Sequence, residues 1–113
     1  MAITTPTKTR RLRVERYDAV TNISIELGTL DFGPSGQLTL VSARPGYERL
    51  LQDIVGGTNA REEIVIKVPP PPGGKPMGIY HLSVPRTSPD LLDRLMEYFE
   101  QKYDLMLMEQ ASA

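Results

Sequence analysis

The chain has 113 residues, of which 40% are hydrophobic and 24% charged, with 13 basic against 14 acidic side chains and a net charge of -1. That length fits one domain with a single core, and the near-neutral balance excludes a strong whole-molecule attraction to nucleic acid or anionic lipid, leaving only local patches to supply one. With no cysteine, disulfides, thiolate catalysis and thiolate metal sites are excluded together.

Residues 1–9, with Thr4, Thr5, Thr7 and Thr9 around Pro6, have no apolar periodicity and are expected to form a flexible tail. Met1 to Arg16 lacks the apolar run of a secretory signal, and no later stretch approaches a membrane span. A soluble, cytoplasmic protein without membrane contact is therefore expected. From Arg11 the residues alternate, Leu12 and Val14 against Arg11, Arg13 and Glu15, which predicts a half-buried strand from about Arg10 to Asp18.

Ile23, Ile25 and Leu27 share one parity, so a second strand follows, with Gly28 marking a bulge or bend before Leu30 and Phe32. Gly33-Pro34-Ser35-Gly36 makes a turn, and Leu38, Leu40 and Val41 pair back as a third strand. After Ala43-Arg44-Pro45-Gly46, the spacing of Tyr47, Leu50, Leu51, Ile54 and Val55 predicts a short helix ended by Gly56-Gly57.

Glu62 to Val68 is rich in β-branched residues and reads as a strand, stopped by Pro69-Pro70-Pro71-Pro72. Pro69 to Pro76 is expected to be an exposed, polyproline-stiffened loop leading into a strand over Met77 to Val84, the two strands forming a second hairpin. Ser88, Pro89 and Asp90 supply an N-cap, a first-turn proline and an acid for a helix whose apolar stripe is Leu91, Leu92, Leu95, Met96, Phe99 and Tyr103. Asp104 to Met108 fits a helix end or a short strand, and 109–113 is expected to be a tail.

These elements describe one α+β domain over residues 10–108, an antiparallel sheet of about five strands with two helices on one face, in the order βββαββα. Gly36, Leu40 and Arg44 match Gly78, Leu82 and Arg86 at an offset of 42 residues, an identity thin enough to arise by chance.

Three surfaces stand out as candidates for binding. Lys8, Arg10, Arg11, Arg13 and Arg16 hold five of the thirteen basic residues within nine positions, enough for a local field that attracts an acidic protein or a phosphate backbone. The segment has no aromatic residue for base stacking, and alternating arginines also protect an edge strand. Pro71, Pro72 and Lys75, at the end of the proline loop, offer a stiff contact surface. Arg44 and Arg86 each precede a helix start, where a phosphate or carboxylate is favoured, though pairing with Glu48 or Asp90 explains them as well. Apolar residues around Met96, Leu105, Met106, Leu107 and Met108 suggest association of two copies through the C-terminal region.

His81 is the sole histidine. As a general base it would need Tyr80 or an acid brought near by folding. No nucleophile–base pair, metal-ligand cluster or phosphate loop is legible, and no cofactor is implied. The expected function is that of a non-enzymatic protein-binding factor, such as an inhibitor, immunity or accessory protein, using Arg10, Arg11, Arg13, Arg16 and the proline loop. The alternatives are nucleic-acid binding through the arginine strand and a small enzyme using His81.

Overall fold

A computed structural model describes residues 9–76 and 78–110. Residues 1–8 and 111–113 of the two expected tails, and Met77 at the start of the expected fifth strand, lie outside the described residues. The element order is β1 Arg10–Asp18, β2 Ile23–Phe32, β3 Leu38–Ala43, α1 Glu48–Asn59, β4 Glu63–Val68, β5 Tyr80–Pro85, α2 Leu91–Tyr103 and β6 Met106–Glu109. The predicted βββαββα order is present, followed by one more strand. The ambiguous C-terminal segment thus divides, with Asp104 in the left-handed conformation ending α2 and Met106 opening β6.

The strands form two antiparallel sheets, β3-β2-β1-β6 and β4-β5, where the sequence suggested one. What divides them is α2, which packs against β4 and β6. The Gln101 side chain accepts from the Lys67 backbone N–H at 2.7 Å and donates to the Lys67 carbonyl at 2.9 Å, so α2 satisfies backbone groups of β4 that a neighbouring strand would otherwise take. One core nevertheless joins the two sheets. Leu12, Val14, Leu30, Leu51, Ile64, Ile66, Leu95, Phe99 and Leu105 are all buried in a single cluster. Phe99 meets Tyr98 and Tyr103 edge-on, at ring separations of 6.3 and 5.6 Å.

Two bulges shape the four-stranded sheet. Val14 pairs with Gly28 and Glu15 with Glu26, so Leu27 is the extra residue. Thr29 pairs with Ser42 and Leu30 with Leu40, so Val41 is the extra residue on β3 and Ala43 returns to the core side. The bulge expected at Gly28 is therefore present. Gly28 has no room for a side chain: a Cβ there would lie 2.4 Å from the Ser42 carbonyl oxygen and 2.6 Å from Leu51 Cδ1. Leu51 thus packs directly onto the sheet through the gap that the glycine leaves.

Both helices depart from their predicted ends. Helix α1 continues through Gly56 and Gly57 to Asn59 because tertiary contacts hold its last turn. Thr58 is fully buried, and the Asn59 side chain accepts from the Leu38 N–H at 2.9 Å and donates to the Leu38 carbonyl at 2.8 Å. A Cβ at either glycine would meet nothing within 4 Å. The double variant Gly56→Ala/Gly57→Ala is accordingly expected to gain about 1–2 kcal/mol from helix propensity, measured by urea unfolding. An unchanged midpoint would mean that these glycines hold a conformation alanine resists.

Helix α2 begins at Leu91, two residues later than predicted. Ser88 does not cap a backbone N–H; its hydroxyl donates to the Asp90 carboxylate. That bond, with Arg94 close by, holds the Asp90 carboxyl below the usual carboxylate range.

The 42-residue offset relates two hairpin-and-helix segments, β2–β3–α1 and β4–β5–α2, that pack differently. Helix α1 packs on the β3 before it, whereas α2 packs mainly on β4 and β6.

Candidate functional site

The predicted arginine patch does not form one surface. Along β1, Arg11 and Arg13 share the face opposite Leu12 and Val14. Arg10 and Arg16 take the other parity at opposite ends of the strand, about 20 Å apart at the usual strand rise. Arg10 pairs with Glu109 at 2.6 Å, Arg11 with Asp31 at 2.5 Å, and Arg13 with Glu15. Arg13 and Glu15 sit two apart on one strand face, and Arg11 and Asp31 are cross-strand partners. Each of these charges is neutralised by a neighbour, which weakens the local field that phosphate binding needs.

Arg86 likewise departs from its predicted role. Its guanidinium donates to the carbonyls of Gly36 at 2.7 Å, Thr58 at 2.6 Å and Arg61 at 2.7 Å. It binds the carbonyl end of α1, where a cation is favoured, and is not available to an external anion. Arg44 lies at the other end of α1, exposed, with one long contact of 3.4 Å to the Glu26 carbonyl. The 12 residues of α1 separate the two, so they make no joint anion site. Among the described residues that line the cleft beside Arg86, about 460 Å³ with Arg10 and Phe32 also in its walls, no cation is free.

Pro71, Pro72 and Lys75 are exposed, as their composition suggested, but the loop is folded back. Gly73 has a φ of 84° and Gly74 N–H donates to the Pro71 carbonyl at 2.8 Å, so Pro72-Gly73 forms a type II turn. The Tyr80 hydroxyl accepts from the Lys75 N–H at 2.8 Å and anchors the loop. A continuous polyproline rod is thus interrupted at Pro72. The apolar C-terminal residues mostly turn inward. Leu105 and Leu107 join the core, and Met108 stays exposed on β6.

Sequence reasoning missed the β1–β2 arm. Strand β6 pairs with β1 only from Leu12 to Glu15, and β3 pairs with β2 only from Gly28 to Phe32. Among the described residues, Arg16–Asp18 and Ile23–Glu26 therefore continue as a two-stranded ribbon with both edges open. Asn22, left-handed at a φ of 59°, donates its N–H to the Asp18 carbonyl at 2.8 Å and accepts from the Tyr17 hydroxyl, closing the tip. The arm leaves Tyr17 49%, Val20 94%, Ile23 58% and Ile25 37% exposed. Alternation over Ile23, Ile25 and Leu27 predicted a buried face, but the bulge sets Leu27 in the core and carries the two isoleucines past it. Their side faces the way of Val14, beyond the end of the core.

A second cluster surrounds His81. His81 is exposed and lies directly across from Lys67. Tyr80, its predicted catalytic companion, points to the opposite face and bonds to the loop, and no carboxylate of the described residues lines the cavity. The cavity holds about 350 Å³, with Arg61, Lys67, His81 and Lys102 around it and Val65, Tyr98 and Gln101 completing its walls. Lys102 Nζ donates to the Tyr98 hydroxyl at 3.1 Å and stands 5.4 and 5.7 Å from the centres of the Tyr98 and Tyr103 rings. Burial pushes the Tyr103 phenol up, Tyr98 adds to that, and Lys102 and Arg61 oppose it. Among the described residues no group of three or more His, Asp or Glu side chains could hold a metal ion.

The chain matches no family model, no curated protein and no solved structure. No described helix is long and apolar enough to cross a membrane.

Proposed function

We propose that this chain is a small non-enzymatic binding factor of the cytoplasm that holds a protein partner on the β1–β2 arm. The observation that carries this reading is the exposure of Tyr17, Val20, Ile23 and Ile25 on a ribbon that no other described element covers. Four large apolar side chains within nine residues are unfavourable in water, and covering them gains on the order of 1–2 kcal/mol each. Open edges on both strands add unpaired backbone groups, so the fitting occupant is an extended apolar segment of another protein that pairs along the arm. Arg16 and Asp18 lie directly across the ribbon from Ile25 and Ile23 and place a polar group beside each of them. The paired state of Arg10, Arg11 and Arg13 supports a protein over a nucleic-acid partner.

The test compares tagged wild type with Val20→Asp/Ile23→Asp as bait in host lysate, at low and high salt and with nuclease treatment. Both substitutions lie outside the core, so the melting temperature should stay within about 2 °C. A nuclease-resistant protein held by wild type should be lost or weakened about 100-fold in the variant, since central apolar contacts dominate such interfaces. Equal capture by both baits would remove the arm from the reading. Nuclease-sensitive, salt-labile capture would favour nucleic acid instead. A wild-type dimer in light scattering that the variant abolishes would make a second copy the occupant.

A further inference from the structure

We propose that the cavity between the β4–β5 hairpin and the C-terminal turn of α2 binds a small phosphate-bearing anion. Three elements and a connecting residue converge there: Lys67 from β4, His81 from β5, Lys102 from α2, and Arg61 from the segment after α1. None of the three permanently charged side chains has a carboxylate within ion-pair distance among the described residues, although other cations of the chain do. Like charges gathered around one cavity repel one another, and a bound phosphate turns that repulsion into attraction.

The walls are set before any ligand arrives. Gln101 is fixed by its two bonds to the Lys67 backbone, which also fixes where the lysine leaves the strand. Lys102 is held over two tyrosine rings and bonded to the Tyr98 hydroxyl. Preorganised groups lose little freedom on binding, and Arg61 adds a planar fork suited to phosphate oxygens. The volume of about 350 Å³ suits a small molecule. Val65 and the buried Tyr98 ring add an apolar wall, which a phosphate ester can use and an inorganic phosphate cannot.

Because His81 is the sole histidine, its ring Hε1 gives one unambiguous proton resonance at the site. Pyrophosphate and adenosine 5′-monophosphate are titrated separately into the full chain at low salt while that resonance is followed. A saturating shift with either probe is expected, and Lys67→Ala should weaken it about tenfold, the loss of one charge-assisted contact. Lys67 is exposed and its side chain makes no bond to another described residue, so this variant should fold as wild type. Lys102→Ala should add a similar loss. Tighter monophosphate assigns the site to an ester, and tighter pyrophosphate to an inorganic anion. The proposal is overturned by a shift that stays linear to about 10 mM of both probes, or by one that Lys67→Ala leaves unchanged. A single-stranded oligonucleotide that moves the same resonance at far lower concentration would replace it with a nucleic-acid site. None of these outcomes depends on the β1–β2 arm.

Discussion

Replacing Arg86 with alanine is expected to lower stability by about 3–4 kcal/mol, more than any other exposed or half-buried charge in the chain. One guanidinium joins three segments: the β2–β3 turn through Gly36, the last turn of α1 through Thr58, and the start of the β4 hairpin through Arg61. Each bond is charge-assisted, and removing the donor leaves Thr58 and Gly36 carbonyls facing a half-buried space. At the usual scaling for a domain of this size the melting temperature should fall by roughly 10–15 °C. Lysine at the same position keeps the charge but, as a compact ammonium, cannot reach three carbonyls in one plane, so Arg86→Lys should recover less than half the loss. Full recovery with lysine would show that the helix-end charge matters and the fork does not. A loss below about 1 kcal/mol for alanine would mean that water replaces the guanidinium without penalty.

Much of the fold was legible because local signals and burial agreed. The alternation of Leu12 and Val14 against Arg11 and Arg13 gave β1, and Gly28 gave the bulge, since period and side-chain size state those features directly. What could not be read was decided by contacts between distant segments. Gly56-Gly57 carries a stop signal that Asn59 overrides by bonding to Leu38, 21 residues away. The division into two sheets rests on Gln101 reaching the Lys67 backbone across 34 residues, which no periodicity reveals. Candidate sites fared worse for the same reason. A run of arginines shows its charge in the sequence but hides its partners, and Glu109, Asp31 and Glu15 were not visible as the groups that neutralise it. Conversely, Arg61, Lys67, His81 and Lys102 are spread over 42 positions and only folding brings them to one cavity. A signal for the arm did exist: β1 and β2 are 9 and 10 residues long, against 6 for β3 and 4 for β6, so their hairpin had to outrun its neighbours.

Gly28→Ala should be the most damaging single methyl group that can be added, costing about 3 kcal/mol or more by overpacking. The same substitution at Gly56 or Gly57, where a Cβ meets nothing and helix propensity favours alanine, is expected to stabilise, so the room at the site decides whether the added methyl helps or harms. At Gly28 the new Cβ would sit 2.4 Å from the Ser42 carbonyl oxygen and 3.2 Å from the Ala43 Cα, both backbone atoms of the paired strand. Leu51 Cδ1, at 2.6 Å, is the end of a flexible side chain and has rotamers to try, but β3 can yield only by leaving its register with β2. A double-mutant cycle separates the two obstacles. If the backbone clash dominates, Leu51→Ala costs its own 2–5 kcal/mol as a fully buried leucine and adds to the glycine loss without relief. If the leucine is the obstacle, the double variant should be more stable than Gly28→Ala plus Leu51→Ala predict, by about 1 kcal/mol or more. Additive losses in urea unfolding would place the constraint in the β2–β3 pairing, which fixes where the bulge falls and hence how far the arm carries Ile23 and Ile25 beyond the core.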